Sequence, residues 1–337
     1  MKEILKKLIR KEDLNETDVE DIVSNIEQNT FVPNQLAGIL CALETKKPTP
    51  NEITYFVEKL IKKAETINLG EDCIDVCGTG GDEKNTFNIS TATMFVAAGA
   101  GAKLAKHGNK AVSSNSGSFD VLEALGVNTL NLTKDPKKVM KKTGIAFLFA
   151  QKHHPIFKNI GPLRKELGVK TIFNLLGPLL NPSRVKKQLM GVFNSELTET
   201  VAEVMKKTGV QRAMVVNGEG LDEITITGKT KITQLNEGKI TTTYFDPKEY
   251  GFNYAKIEEL RANTKEESAK IILSVLKGEK SAKRNVVVLN AAAALIVSGK
   301  TMDFKEGIKL AEKSIDSGAA LKKLEELKLI TNEEAKV

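Results

Sequence analysis

The stretch that decides the fold reads Cys73-Ile-Asp-Val-Cys77, followed at once by Gly78-Thr-Gly-Gly-Asp82. The first five residues are typical of a buried strand, and the next five of a tight glycine-rich loop. A polar segment, Asn88-Ile-Ser-Thr91, then opens an apolar helical stretch over 92–98. This order predicts a phosphate cradle, because glycines let backbone N–H groups approach an anion and a helix N-terminus adds free donors.

The first turn of this predicted helix, residues 91–95, contains no Asp or Glu. Carboxylates usually favour that position, so we expect an uncompensated helix end that can receive an external anion. The loop matches neither the Gly-x4-Gly-Lys-Ser/Thr pattern of nucleoside triphosphatases nor the Gly-x-Gly-x-x-Gly pattern of dinucleotide-binding folds. Taken by itself, the loop over 78–82 is about as typical of a plain tight turn.

A second polar motif spans residues 106–118 and reads KHGNKAVSSNSGS. It lies between a strand-like Leu104-Ala105 and a predicted helix over 119–125, with Ser118 as the N-cap and Gly126 just past the end. A surface linker has a similar composition. However, linkers rarely concentrate Lys, His and Asn in this setting, so the motif favours a second part of a ligand site.

The hydrophobic pattern predicts helices alone over residues 1–66 and alternating strands and helices from residue 72. The strand candidates are 73–77, 103–106, 145–150, 188–193 and 212–216. This alternation is typical of a mainly parallel sheet flanked by helices. We therefore predict an α/β protein with a small all-helical N-terminal domain and a large α/β domain.

The last third of the chain begins with a β-rich part and ends in helices. Strands are expected over 224–233 and 239–245, with turns at Gly228 and over 236–238. The C-terminal helices are expected over 266–277, 286–297, 304–317 and 321–328.

The composition of the chain argues against a nucleic-acid-binding protein and against a membrane-spanning protein. The chain has 337 residues and a net charge of +7, but its lysines are scattered among glutamates, and there is no Trp. A basic run interleaved with stacking aromatics is missing, which argues against nucleic-acid binding. The absence of an apolar run of ~20 residues and of a signal peptide predicts a cytoplasmic protein without a membrane span. Three cysteines, Cys41, Cys73 and Cys77, fit a reducing compartment and do not have metal-ligand spacing.

Several motifs resemble those of the anthranilate phosphoribosyltransferases, in the same order along essentially the whole chain. The matching segments are Gly78–Asp82, 86–91, 106–109, 112–114, His154-Pro155, Asn174-Leu-Leu-Gly-Pro178, Asn181-Pro182 and Gly220-Leu-Asp-Glu223. The resemblance implies a Mg²⁺-dependent transferase of tryptophan biosynthesis that joins 5-phosphoribosyl-1-pyrophosphate (PRPP) to the amine of anthranilate. It also implies a homodimer and two domains, 1–66 with about 155–183, and 67–154 with 184–337.

The resemblance also implies roles for individual residues. The PRPP-binding set is Gly78, Gly80, Gly81, Asp82, Thr86, Asn88, Ser90, Thr91, Lys106 and Ser118. The anthranilate-binding set is Gly78, His107, Asn109, His154, Arg164 and Pro178. The expected Mg²⁺ ligands are Ser90, Asp222 and Glu223, since Mg²⁺ prefers one or two carboxylates together with substrate phosphates.

Four positions depart from the family pattern. Glu83 stands where Gly is common, Lys110 where Arg is common, Asn217 where His is frequent, and Phe157 where the residue is often small, Met or Tyr. The alternatives are a pyrimidine nucleoside phosphorylase-like enzyme and a non-catalytic nucleic-acid-binding paralogue on the same fold. The first carries a different glycine-rich loop and lacks the Asp222-Glu223 pair. The second should have eroded phosphate and metal motifs, and both motifs are intact here.

Overall fold

The computed structural model describes residues 1–109 and 117–333, so the predicted motif over 112–114 lies outside the described residues. The N-terminal part is helical, as predicted. Its helices α1, α2, α3 and α4 span Lys2–Ile9, Glu16–Glu27, Pro33–Lys46 and Pro50–Lys62. Capping boxes fix two of the helix starts, since the side chains of Asn15 and Thr49 each accept a backbone N–H three residues on.

A seven-stranded sheet forms the centre of the larger part of the chain. Its strands are β1 Cys73–Gly78, β2 Lys103–Gly108, β3 Ile145–Phe149, β4 Lys187–Gly191, β5 Arg212–Asn217, β6 Thr230–Asn236 and β7 Lys239–Phe245. They lie in the order β3-β2-β1-β4-β5-β6-β7. The first five strands pair in parallel, and β6 and β7 are antiparallel additions. The α/β class with a mainly parallel sheet is therefore confirmed.

Helices cover both faces of this sheet. The helices that follow β1 along the chain are α5 Ile89–Gly99, α6 Ser118–Ala124, α7 Thr129–Leu132, α8 Pro136–Thr143, α9 Ala150–His153, α10 Ile156–Leu167, α11 Ile172–Leu179, α12 Leu197–Lys207, α13 Lys265–Leu276, α14 Ala282–Ser298, α15 Phe304–Asp316 and α16 Ala319–Glu333. Along β1, Ile74 and Val76 face the core formed with α5 and α14, while Cys77 faces the core shared with α12 and the N-terminal helices. The alternation follows from the two-residue period of a strand.

Two sequence-based expectations are wrong in detail. The strand expected from residue 224 begins only at Thr230, because side chains take the backbone N–H groups before it: Asn290 Oδ1 accepts from Ile224 and Thr230 Oγ1 from Thr225. In α6 the N-cap is Gly117 and not Ser118, which is the first helical residue. Both differences come from hydrogen bonds that propensity does not encode.

No helix within residues 1–109 and 117–333 has the length and apolarity needed to cross a membrane.

Candidate active site

The glycine-rich loop after β1 is shaped by contacts with a distant carboxylate. Gly80 and Gly81 have φ values of +66° and +73°, in the left-handed region where a side chain is strained. Gly78 is required for a different reason, because a Cβ there would collide with Asp222 Oδ2. The Gly80 N–H donates to the same carboxylate oxygen over 2.7 Å. The loop backbone thus packs directly on Asp222.

The loop over 217–223 presents Asp222 from the end of β5. A Cβ at Gly191, the last residue of β4, would collide with the Asp222 carbonyl oxygen, so only glycine permits this approach. Asn217 holds the loop in place: its Nδ2 donates to the Val192 carbonyl over 2.7 Å, and its Oδ1 accepts a backbone N–H of the same loop over 3.0 Å. The Asn found where the family often has His is therefore a structural bridge.

Three carboxylates share this part of the site. Burial, together with the nearby Asp82 charge, raises the pKa of Asp222 to about 7. Burial and the Asp222 charge raise the pKa of Glu223 well above its ordinary value, and the Lys106 charge opposes that rise. Crowded, buried carboxylates favour a bound cation, because a cation relieves both their repulsion and their desolvation.

The N-terminus of α5 meets one of these carboxylates. The helix begins at Ile89 and has no acidic residue in its first turn. Nevertheless, the Ser90 backbone N–H donates to the Glu223 side chain. The expectation of an uncompensated helix end was therefore wrong, because the compensating acid arrives from the loop after β5.

A buried acid, Asp75, fills the space between β1 and β2. The two strands pair only at their first two residues. Beyond that point, Asp75 Oδ1 accepts the His107 backbone N–H over 3.3 Å, and Oδ2 accepts from Asn181 Nδ2 over 2.8 Å. Asn181 Nδ2 also donates to the Ala105 carbonyl over 2.8 Å. Burial raises the pKa of Asp75 to about 6, opposed by the charge of Lys106.

Lys106 crosses the same gap in the opposite direction and is only 3% exposed. Its ammonium donates to the Val76 carbonyl and, over 3.2 Å, to Ser90 Oγ. Its charge also acts on Glu223. The structure thus brings together Lys106, Ser90 and Glu223, which the sequence had placed in one site.

Next to this anionic and cationic cluster lies an aromatic pocket. The His107 ring is 5.3 Å from the His154 ring, which is 5.7 Å from Phe157, and Phe157 is 6.0 Å from Phe173. The Arg164 guanidinium carbon stands 5.7 Å from the Phe173 centroid. Three of the residues expected to bind anthranilate, His107, His154 and Arg164, therefore lie in one cluster with two phenylalanines.

The polar groups of this pocket have spare hydrogen-bonding capacity. Burial lowers the pKa of His107 to about 3 and that of His154 to about 4, so both rings are neutral at pH 7. The His154 Nε2 lies 2.7 Å from the Leu180 carbonyl, whereas His154 Nδ1 and His107 Nε2 have no partner among the described residues. Within the same described ranges, the Arg164 guanidinium has no ion pair, and burial lowers its pKa. An aromatic acid fits such a pocket, because an unpaired guanidinium binds carboxylates.

Other predicted residues surround the start of α5. Thr86 forms an isolated antiparallel bridge with Arg261, and Asn88 exchanges hydrogen bonds of 3.0 and 2.8 Å with the Ser268 hydroxyl. The Thr91 side chain is fully buried, and its hydroxyl has no partner among the described residues. Its assignment to PRPP stays a prediction.

Ser118, Asn109 and Pro178 complete the predicted set. The Ser118 hydroxyl donates to the Asn109 carbonyl over 3.5 Å at the end of β2. Pro178 lies in α11 next to Gly177, whose carbonyl accepts from the His107 ring. These residues adjoin the two clusters already described, and their binding roles remain predictions.

Sequence reasoning missed three residues of this region: Asp75, Lys170 and Phe173. The sequence does indicate Asp75, because an acid in the middle of an otherwise apolar strand needs buried hydrogen-bond partners. Lys170 follows α10 and lies against the glycine-rich loop, with its Cε 3.2 Å from where a Gly81 Cβ would be. Nothing local in the sequence indicates that contact.

The acidic pair fits Mg²⁺. Among residues 1–109 and 117–333, no cluster of three or more acidic, His or Cys side chains is found that would hold a metal without other ligands. Mg²⁺ does not need one, because it is usually held by one or two carboxylates together with substrate phosphates and water. Asp222 and Glu223, with the Ser90 hydroxyl close by, supply that type of donor set.

Comparisons with known proteins give one consistent result. Residues 70–321 match the glycosyl transferase family, a/b domain, and residues 2–64 match the glycosyl transferase family, helical bundle domain. The chain is 47% identical over 329 residues to an anthranilate phosphoribosyltransferase of Thermoanaerobacter sp., covering 97% of both chains.

Solved structures of two similar proteins share the fold. An anthranilate phosphoribosyltransferase from Thermus thermophilus superposes with a TM-score of 0.90 at 36% identity, covering 98% of this chain and 99% of the other. The enzyme from Saccharomyces cerevisiae, solved in complex with PRPP and Mg, gives a TM-score of 0.88 at 29% identity, covering 98% of this chain and 97% of the other.

Proposed function

We infer that this chain, which belongs to the anthranilate phosphoribosyltransferase family, transfers the 5-phosphoribosyl group of PRPP to the amine of anthranilate. The products are N-(5-phosphoribosyl)anthranilate and pyrophosphate, and the reaction belongs to tryptophan biosynthesis. The observation that carries this inference is the placement of Lys106 and His107. These consecutive residues of β2 put an anion site and an aromatic pocket side by side.

The anion site would hold PRPP. Backbone donors of the loop 78–82, the Ser90 hydroxyl and the Lys106 ammonium can bind phosphate oxygens. Asp222 and Glu223 would hold Mg²⁺, which neutralises charge on the pyrophosphate when it is bound. This assignment is supported by the raised pKa values of the two acids, which lack a neighbouring cation strong enough to offset their burial.

The aromatic pocket would hold anthranilate. Arg164 would bind its carboxylate with paired N–H donors, while the ring lies among His107, His154 and Phe157. Because both imidazoles are neutral at pH 7, their unpartnered nitrogens can orient the amine by hydrogen bonds. The amine needs little deprotonation before it attacks the ribose carbon, so the two imidazoles would position it, and positioning together with fixed charges would supply most of the rate enhancement.

The two-domain division is a further part of this proposal. The helices of the segment 155–183 pack on the N-terminal helices, as the Asn159 Nδ2 donates to the carbonyls of Ile26 and Glu27 over 2.9 and 3.0 Å. This contact supports grouping 155–183 with residues 1–66, apart from 67–154 and 184–337. We also propose, on the resemblance, a cytoplasmic homodimer formed through the helical domain.

The proposed function is tested by following anthranilate fluorescence with purified protein, PRPP and Mg²⁺. We expect Mg²⁺-dependent loss of the signal. The double variant Asp222→Asn/Glu223→Gln should be slower by at least about 100-fold, because it removes the carboxylates that would hold the Mg²⁺ neutralising the departing pyrophosphate. Glu219→Gln, which changes an exposed acid of the same loop, should retain activity.

No loss of fluorescence with the parent protein at high concentration would refute the function. If anthranilate fluorescence fell at the same rate in the double variant and in Glu219→Gln, the metal assignment would be refuted and the transfer reaction would still stand.

A further inference from the structure

Lys170 brings a positive charge close to the glycine-rich loop. It lies between α10 and α11, in the segment that also carries Arg164. Its Nζ is 4.6 Å from the centroid of the Phe193 ring, and its Cε is 3.2 Å from the position of a Gly81 Cβ. Phe193 belongs to the same neighbourhood, since its backbone N–H donates to Thr79 Oγ1 over 3.1 Å.

Among the described residues, the Lys170 ammonium has N–H donors without a hydrogen-bond acceptor. The nearest acid is Glu83, whose Oε1 is 3.8 Å from Lys170 Nζ, beyond hydrogen-bond distance. The Glu83 side chain is 85% exposed, so water screens the pair strongly. Within residues 1–109 and 117–333, no hydrogen bond from the Lys170 ammonium is found. Lys170 is half-exposed and held over the Phe193 ring, so its ammonium can move to bind an anion at the glycine-rich loop with little loss of free energy.

We propose that Lys170 is an additional binding residue for the phosphate groups of PRPP, an inference that rests on the proposed function. In the ligand-free protein it is kept at the loop by the Phe193 ring and by the Glu83 charge. When the phosphates of PRPP occupy the loop, the Lys170 ammonium leaves Glu83 and donates to a phosphate oxygen. No bond is made or broken in this step.

This contact would join the two substrate sites. Lys170 follows Arg164 by six residues, and the end of α10, a left-handed Gly168 and Val169 separate them. Phosphate binding by Lys170 would therefore tie the segment that carries Arg164 to the loop. Glu83, which stands where the family commonly has glycine, acts as a competitor for the same ammonium.

The test is calorimetric binding of PRPP and of inorganic pyrophosphate, both with Mg²⁺, to the full chain. Lys170→Met should raise the Kd of both ligands by about 10- to 100-fold, the range for a lost hydrogen bond to a charged group. Lys170→Arg should restore most of the affinity, because it keeps the charge. Glu83→Gln should lower the Kd, since it removes the competitor.

The matched control is Lys165→Met, an exposed lysine on the same helix as Arg164, which should leave both Kd values unchanged. In steady state, Lys170→Met should raise the KM for PRPP and leave kcat nearly unchanged, which a purely structural role would not do. Equal affinities in Lys170→Met and the parent, or equal losses in Lys170→Met and Lys170→Arg, would overturn the inference.

The two proposals fail separately. If the parent protein binds PRPP without consuming anthranilate, the proposed function is wrong, and the Lys170 variants still report on phosphate binding. If the parent protein binds neither PRPP nor pyrophosphate, both proposals are overturned.

Discussion

β1 has a parallel neighbour on each side, and its two edges are built differently. Toward β4, the strands pair without interruption from Ile74 opposite Lys187 to Gly78 opposite Gly191. Toward β2, the pairing stops after Ile74, and the side chains of Asp75 and Lys106 take over the role of the backbone ladder. We call the side of β1 that pairs with β4 the closed edge of this strand, and the side that faces β2 the open edge.

The difference shows how one sheet provides both rigidity and a charged site. The closed edge is glycine-lined at its end, where Gly78 and Gly191 let the Asp222 backbone and carboxylate pack against the strands. The open edge keeps polar groups buried but satisfied, which is how charge can be held inside a protein. The groups proposed to bind substrate therefore gather where the ladder is interrupted, and the uninterrupted ladder fixes the loop proposed to hold the metal.

The largest expected effect comes from removing the acid of the open edge. Asp75→Leu should lower the free energy of unfolding by about 3–5 kcal/mol, because the Asn181 amide and the His107 N–H lose their buried acceptor and a carboxylate charge near the buried ammonium is lost. Urea unfolding at neutral pH measures this. The control is Gln188→Leu, whose residue lies in register with Asp75 on the closed edge and donates to the Pro178 carbonyl over 2.7 Å. We expect it to cost only about 1–3 kcal/mol.

The two leucine variants could instead lower the free energy of unfolding by the same amount. The charged Asp75 would then matter no more to stability than the neutral amide of Gln188. The comparison between the edges would then fail.

The next effect is on catalysis and separates two lysines that flank β1. Lys106→Met should lower kcat/KM for PRPP by about 10- to 100-fold, since it removes a charged donor at the anion site. Lys187→Met, on β4, should change it by no more than about twofold. Steady-state rates at varied PRPP concentration measure both. A similar loss in both variants would mean that general charge, and not the open edge, attracts the substrate.

The smallest expected effect concerns His107 and His154, which should not titrate near neutral pH in the folded protein. Burial lowers the pKa of His107 to about 3 and that of His154 to about 4, so neither ring should gain a proton between pH 8 and pH 5. The stability they contribute is fully present above their ordinary pKa and is lost as pH falls through the lowered values. The imidazole NMR signals of His107 and His154 in the folded protein should stay constant, whereas in the urea-unfolded chain the signals of these two residues should titrate near 6.5. Titration of the folded rings near 6.5 would show that the pocket is open to water.

Much of the fold could be predicted because its signals are local. The all-helical N-terminal part and the five parallel strands follow from hydrophobic periodicity, and the observed bounds of those strands are within a few residues of the expected ones. The start of β6 was missed because Asn290, far along the chain, takes a backbone N–H that a strand would use. Ser118 was assigned the cap of α6 because local propensity cannot show that Gly117 adopts that position.

By itself, the sequence determined the α/β alternation, the glycine-rich loop, the acidic pair and the family resemblance, since each is written in consecutive residues. Only the tertiary structure decided what those segments meet. It placed Asp222 on the loop 142 residues earlier and put Glu223 at the start of α5. It also set Lys170 beside Gly81. Such contacts depend on how strands and helices pack in three dimensions, and no local periodicity encodes them.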